Sequence, residues 1–398
     1  MIWQIIHVID LILWVFMAFS VGYVFFFALM SLLRHHARHS NAFTDKPTEE
    51  EATDFLVIYP AYREDAVIRR SVETFLQQDY PPAHYQLVVV SDAMRPDTNE
   101  WLASQPLTLI QPSFEKSSKA KALQQAMMEC GNWKTESNCR KVVVLDADNI
   151  VAPDFLSRLH AVCQHTDAII QCHRTAKNAD NNIAALDGIS EEINNTIFRR
   201  AHNNIGLASA LIGSGMCFNF QWFKQHVSHL STAVEDRELE ALILFEGLHI
   251  HYAEDILVMD EKVSTGDNFQ RQRLRWMTGQ VQSLFSMLPQ VPKALIHGNI
   301  NYIDKTMQQA LIPRSILLIA LPLLGLLLTL VYWPWGVKWW ILLGCLALSL
   351  FIAIPPQLRS RALFGKALAL PALAWRMTCN LLHIRRSNTD FIHTSHNK

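Results

Sequence analysis

The sequence predicts an α/β protein: a doubly wound, mostly parallel sheet, with about three transmembrane helices and interfacial amphipathic helices. Three observations lead there. Between residues 55 and 172, β-branched runs alternate with stretches of helical spacing, the pattern that builds parallel sheets. One run, Val142-Val143-Val144-Leu145, is apolar throughout, as a strand covered on both faces is, and it ends in Asp146-Ala147-Asp148-Asn149. The composition, 50% hydrophobic and 18% charged over 398 residues, is apolar for a soluble enzyme and points to a soluble body with membrane segments.

Ile5 to Leu33 is almost wholly apolar apart from Asp10, and long enough to span a bilayer. No small-residue cleavage site follows, which favours a retained helix over a removed signal peptide. Arg34, His35, His36, Arg38 and His39 come next and, by the positive-inside rule, place the following domain in the cytoplasm. Residues 40–54 are a polar linker with Pro47 and Glu49-Glu50-Glu51. The body, residues 55–282, opens with a strand at Phe55–Tyr59, the loop Pro60-Ala61-Tyr62-Arg63-Glu64-Asp65 and a helix over Ala66–Gln78. A second strand, Gln86–Ser91, ends at Asp92, and Leu107–Ile110 is a weak third. Ser117–Cys130 reads as a helix carrying Lys119 and Lys121; Met127 and Met128 on it are expected to pack in the core or a groove. After the Val142 run come a helix from about Asp154 and a strand at Ala168–Cys172.

The second half of the body starts with a long helix, about Ile183–Asn204, on which Glu191 and Glu192 read as a solvated face. Gly213-Ser214-Gly215-Met216 follows, small residues that allow close backbone approach. Ala233-Val234-Glu235-Asp236-Arg237-Glu238 leads into a helix to about Phe245. In Gln270-Arg271-Gln272-Arg273-Leu274-Arg275-Trp276, arginines at about one-turn spacing are suited to clamping a diphosphate, and the tryptophan ring to stacking on a sugar. The alternative is a basic helix against anionic lipid headgroups. Gln171-Cys172-His173-Arg174, at a strand end, lies near the same site.

Residues 283–310, with Ser283–Ile296, read as interfacial. Residues 311–356 hold two spans: Leu311–Val331, with Arg314 near its cytoplasmic end, and Trp340–Ile354. Trp333-Pro334-Trp335 and Trp339-Trp340 form an aromatic belt between them. Arg359, Arg361 and Lys366 return the chain to the positive side; within 357–398, Leu363–Ile384 reads as an interfacial helix and Arg385–Lys398 as a polar tail.

Composition also excludes. A net charge of -1 gives no signal for nucleic acid, and seven cysteines without a Cys-x-x-Cys pair indicate neither a zinc knuckle nor a disulfide framework. No Gly-x-Gly-x-x-Gly or phosphate loop follows the first strand, which lowers dinucleotide dehydrogenases and P-loop NTPases. Two acids at the carboxyl end of a buried strand are costly unless paired or used, and the crevice at such strand ends is where open α/β sheets bind ligands. Hard oxygen ligands suit Mg²⁺ or Mn²⁺ completed by substrate phosphates. The alternative is a polar strand exit with Asp148 capping a helix.

Taken together in order, these motifs resemble the membrane-bound family-2 glycosyltransferases of the GT-A fold, in the branch with cellulose, hyaluronan, chitin and poly-N-acetylglucosamine synthases. The resemblance covers about Phe55–Gln282 and the flanking spans. It implies that Tyr62 and Glu64 line the nucleotide-base pocket, in a loop similar to Pro-Ala/Thr-Tyr-Asn-Glu with Arg63 for asparagine, and that Asp92 reads the uracil ring. Lys121 is matched to the lysine of Gly-Lys-x-x-Ala-Leu near the nucleotide, with Lys119 as second choice. Asp146 and Asp148 look like the Asp-x-Asp motif of donor and metal, with Asp148 on the metal. Glu235-Asp236 resembles Thr-Glu-Asp with valine for threonine, which makes Asp236 the general base; its alternative role is a helix N-cap. Gln272, Arg275 and Trp276 fit Gln-x-x-Arg-Trp, holding the diphosphate and the acceptor sugar, and Glu235, Gly213 and Ser214 fall on the acceptor side.

The implied cofactor is Mg²⁺ or Mn²⁺. The implied partners are a UDP-sugar donor, a glycan or lipid acceptor, membrane lipids and, with only about three spans, an export partner or a homo-oligomer. The implied function is inverting transfer of a sugar to a growing polysaccharide at the cytoplasmic face of a membrane, by default a bacterial inner membrane. Single addition to a lipid, and an inactive scaffold of the same fold, are the alternatives.

Overall fold

The structure, a computed structural model, describes residues 2–33, 52–137, 139–177, 182–232, 234–262 and 266–359. The basic flank Arg34–His39, most of the linker and the segments Leu363–Ile384 and Arg385–Lys398 lie outside the described residues.

Eight strands are described: β1 (Asp54–Tyr62), β2 (Tyr85–Asp92), β3 (Thr108–Ile110), β4 (Arg140–Val144), β5 (Ile150–Val151), β6 (Ile169–Ala176), β7 (Met216–Asn219) and β8 (Ile250–Asp260). They form one sheet in the order β3-β2-β1-β4-β7-β6-β8-β5. The first four in that order are mutually parallel, and so are β6 and β8. The short β7 runs antiparallel between β4 and β6, and β5 antiparallel to β8. The mostly parallel α/β sheet that the alternation predicts is the one observed. The strands not anticipated are β5, β7 and β8; two and four residues are too few for β5 and β7 to display a period.

The continuous apolar runs follow from burial on both faces. Leu56, Ile58, Val88, Val90, Val142 and Val144 point into one core with Leu123, Phe223 and Ile243. Phe55, Val57, Tyr59, Val89, Val143 and Leu145 point into the other with Ile68, Phe75, Phe155 and Leu159. Alternate residues of each strand thus belong to opposite layers. Met127 packs in the first core, but Met128, its neighbour, is 78% exposed.

Three helices, Ile2–Met30, Arg314–Val331 and Trp333–Ala353, are long and apolar enough to cross a membrane. They pack on one another and on Ile193, Ile197 and Ala201 of the long helix. The last of the three starts earlier than predicted, so the tryptophan belt lies within it. Trp339 is fully buried and donates to Asp10 Oδ1 at 2.9 Å, while Lys338 pairs with the same carboxylate. The long helix runs Asn182–Asn195, then through a π turn at Thr196–Arg200 to Ala201–Asn204. Its Glu191 and Glu192 are not a solvated face: both are buried and ion-paired, because Arg174, Arg199 and His173 approach from other elements. The segment expected to be interfacial begins inside the helix Gly266–Met287, where Ser283 and Met287 are buried against the body.

Candidate active site

The carboxyl ends of β1, β2 and β4 lie side by side, with Tyr62 and Asp92 as register partners. Just past these ends the chain takes the left-handed conformation at Arg63 (φ 57°) and Ala93 (φ 54°). Neither is glycine, so both positions are strained, and neighbouring strands pay that cost at the same level. Asp65 Oδ1 accepts from Arg95 N at 2.9 Å and ties the two loops together. A cavity of about 780 Å³ opens there, and Tyr62, Glu64 and Asp92 line its first wall.

The next wall is the turn after β4. Asp146 N donates to Asn149 Oδ1 at 2.9 Å and to Ser214 Oγ at 3.2 Å. Asp148 Oδ1 accepts from Asn149 Nδ2 at 3.1 Å and Oδ2 from Glu261 N at 2.9 Å. Fully buried Asn149 therefore orients both acids, a role with no sequence signal of its own. Asp148 caps no helix, since β5 follows it. Ser214 is fully buried and hydrogen-bonded to Asn149, away from the cavity. Its expected place on the acceptor is thereby corrected: it supports the acid turn. Gly213 does line the cavity, at φ 77°; a Cβ there would sit 3.4 Å from Asp236 Oδ2 and 3.7 Å from Lys119 Nζ, between two functional groups.

Lys119 and Lys121 are separated by the structure. Ser118 caps their helix, Lys119–Cys130, by accepting from Lys121 N at 3.2 Å. Lys119 Nζ pairs with Asp146, donates to Gly213 O at 2.5 Å and lies 3.4 Å from Glu235 Oε1. Lys121 is exposed and donates to Lys116 O at 2.7 Å. Residues two apart on a helix face different ways, so only one of the pair can enter the cavity. The second choice, Lys119, is the one brought to the acids, and the expectation for Lys121 is corrected. Burial alone would lower the Lys119 ammonium, but the Asp146 and Glu235 carboxylates outweigh it and hold it above its usual value.

Glu235 is pushed up to about 7, chiefly by burial, with Lys119 pulling the other way and Asp236 adding to the rise. Half-buried Asp236 sits one residue into the helix Glu235–Phe245. Val234, at the cap, offers no side-chain acceptor, and Glu238 instead binds Ser231 N at 3.1 Å and Thr232 N at 3.0 Å. The Asp236 carboxylate accepts from Arg237 N at 2.9 Å and lines the cavity rather than serving as the N-cap.

Gln272, Arg275 and Trp276, at i, i+3 and i+4 of the helix Gly266–Met287, share the face that lines the cavity. Gln272 Oε1 is buried without a hydrogen-bond partner among the described residues. Arg273, in the same motif, is largely buried, paired with Asp187 and 4.4 Å from the Trp276 ring.

A buried ion cluster also borders the cavity. Arg174 reaches Glu191 at 3.0 Å and Asp260 at 3.4 Å, and Lys262 reaches Asp260 at 2.9 Å. Burial would raise Glu191, but Arg174, Lys262 and Arg199 together hold it down at about 2. Only Arg174 was signalled by sequence, as a charge at a strand end; the others meet across distant elements.

Among the described residues no three His, Cys, Asp or Glu cluster around one point. The two acids Asp146 and Asp148 still offer the hard oxygens that suit a divalent cation. The Lys119 ammonium on Asp146 shows that this position accepts positive charge.

Residues 52–279, more than half of the 398, match the family described as Glycosyltransferase like family 2. Among solved structures, the chain is similar to the mannosyltransferase PcManGT from Pyrobaculum calidifontis in complex with GDP-Man and Mn²⁺, at 17% identity and a TM-score of 0.48, covering 92% of this chain and 98% of that one. It is also similar to residues 1–349 of TarS from S. aureus, at 13% identity and a TM-score of 0.41, covering 85% and 94%. For the complex of the same TarS fragment with UDP-GlcNAc the values are 13%, 0.39, 83% and 92%. No curated protein matches the chain in sequence.

Proposed function

The chain belongs to glycosyltransferase-like family 2 and is a glycosyltransferase, and from that premise we propose inverting transfer of a sugar from a UDP-sugar to an acceptor hydroxyl at a membrane face, with Asp236 as general base. The observation that carries this reading is the place of Asp236. Its carboxylate stands across Gly213 from the Lys119–Asp146 pair, in the cavity at the carboxyl ends of β1, β2 and β4.

In a single displacement, Asp236 takes the proton of the acceptor hydroxyl as its oxygen bonds to the sugar C1. The bond from C1 to the diphosphate oxygen breaks with its electron pair, UDP departs, and Asp236 returns the proton to water. An α-linked donor then gives a β-linked product. Tyr62, Glu64 and Asp92 hold the nucleotide base, while Lys119, Gln272 and Arg275 hold the diphosphate. A divalent ion on Asp146 and Asp148 would supply further positive charge for the departing diphosphate. Trp276 offers its ring to the acceptor sugar. The three apolar helices support a membrane location, with the catalytic body on the cytoplasmic side.

A growing polysaccharide is the acceptor expected from the resemblance. A lipid acceptor is the second reading, favoured because the cavity reaches the apolar helices.

The test uses the full chain in detergent with radiolabelled UDP-glucose, UDP-N-acetylglucosamine, UDP-galactose and UDP-glucuronate, each with Mg²⁺ or Mn²⁺. The expected result is acceptor-dependent UDP release with one donor and a β-linked product. An α-linked product, or an Asp236→Asn variant as fast as the wild type, would overturn the mechanism.

A further inference from the structure

The cavity does not end at the catalytic groups. Its lining runs on from Asp236 and Arg273 to Arg314, to Val24, Leu318, Leu350 and Phe351 of the three apolar helices, and to Arg359. Leu318 stands four residues into its helix from Arg314, and Ala347, the deepest lining residue of the last helix, six residues before its end at Ala353. At 1.5 Å per residue the cavity enters the apolar layer by only about 6–9 Å of some 30 Å. That depth takes the first carbons of a lipid chain.

The basic residues elsewhere in the cavity are mostly ion-paired, while Arg237 donates to Gln309 Oε1. Lys119, Arg174, Arg273 and Lys305 each face a carboxylate. Arg314 makes no ion pair among the described residues; Glu191, already paired with Arg174 and Arg199, acts on it only from a longer range. One guanidinium nitrogen, Nη2, donates to Asn194 Oδ1 at 2.6 Å and approaches Ser190 at 3.4 Å; the other, Nη1, is buried with no hydrogen-bond partner. Arg359 donates to the backbone carbonyls of Ile354 at 2.9 Å and Ile352 at 3.2 Å, lies 4.7 Å from the Phe351 ring, and likewise makes no ion pair among the described residues. An arginine stays charged, and leaving a buried one without an anion is costly. A phosphate oxygen satisfies the bare Nη1 and the charge together.

We infer that the acceptor is a lipid whose hydroxyl-bearing headgroup is joined to its chain through a phosphate or diphosphate, with that phosphate on Arg314 and the first carbons of the chain among the apolar helices. This identifies the acceptor class and rests on the transferase reading above. Asp236 sharpens it: a general base serves a hydroxyl, so the nucleophile is a headgroup hydroxyl and not the lipid phosphate itself.

The probe is tritiated farnesyl-diphosphate-linked N-acetylglucosamine, bound at equilibrium to the full chain in a neutral detergent. Octyl glucoside and inorganic pyrophosphate serve as competitors. Saturable binding is expected, with Arg314→Gln weakening it roughly tenfold or more, as the loss of a charge-assisted hydrogen bond does, and Arg314→Lys weakening it less. Should Arg314→Gln fail to fold, Arg359→Gln is read in its place. Wild-type affinity in the Gln variant, or displacement by octyl glucoside as effective as by unlabelled probe, would leave an apolar groove without an anion site and overturn the inference. Equal displacement by pyrophosphate would leave a phosphate site without a lipid and overturn it as well. Binding needs no turnover, so the two readings fail separately. A chain that binds the probe yet releases UDP from no donor breaks the transferase reading alone; one that glycosylates a neutral alkyl glycoside without binding the probe breaks this one.

Discussion

At the sheet end of the cavity, the functional side chains hang from strand termini, and the one lysine among them is matched by carboxylates of the protein itself. Tyr62, Asp92 and Asp146 lie within two residues of the ends of β1, β2 and β4, and Lys119 faces both Asp146 and Glu235. At the helical end, Arg314 opens one apolar helix and Arg359 follows the turn after another, and neither makes an ion pair among the described residues. A charge-matched site is set before its ligand arrives; an unmatched one needs the ligand to complete it. The sheet end should therefore govern rate and donor binding, and the helical end acceptor affinity.

The largest expected effect tests the sheet end directly. Asp236→Asn should lower kcat by about 10²–10⁴ while leaving UDP affinity, measured by calorimetry, near wild type. An equal loss in UDP binding would make Asp236 part of the donor site and erase the division between base and donor groups. Next in size is the comparison of the two lysines. Lys119→Met should weaken UDP binding by roughly 10- to 100-fold, the range for a charge-assisted contact, whereas Lys121→Met should stay within about twofold. The reverse order would restore the motif alignment that the structure corrects. Smaller again, Trp276→Ala should raise the acceptor KM several-fold, on the order of 1 kcal/mol, with little change in donor KM.

What was legible in the sequence follows the same division. The parallel half of the sheet was readable because each strand is buried on both faces and so is a continuous apolar run, as Val142–Leu145 shows. The acids ending those runs stood out because charge at the end of a buried strand is conspicuous. Asn149, Ser214 and the Glu191 cluster were not readable, since each acts through a partner distant in sequence or a hydrogen bond that no periodicity marks. Glu191 and Glu192 had the look of a polar helix face until Arg174 and His173 were placed against it. The strained turns at Arg63 and Ala93 lack the glycines that usually betray such conformations. Spacing within a motif does not say which of Lys119 and Lys121 faces inward; Ser118 caps the helix on which Lys119 turns to the cavity.

The smallest effect probes how completely charges are matched at the sheet end. Lys119 neutralises Asp146 well but Glu235 only partly, since burial still leaves Glu235 at about 7. An unfolded glutamate titrates near 4.3. Between those values the folded chain holds a proton that the unfolded chain has released. The stability this confers is full below the unfolded value and is lost as pH rises through about 7. The loss is on the order of 3 kcal/mol by the end of that window. Glu191, held at about 2, changes stability only at lower pH, outside this range. The Tm of the wild type relative to Glu235→Gln, followed from pH 5 to 8 in EDTA, should therefore fall as pH rises. A constant difference would mean that Lys119 matches Glu235 as fully as it matches Asp146, and the sheet end would then carry no residual charge conflict.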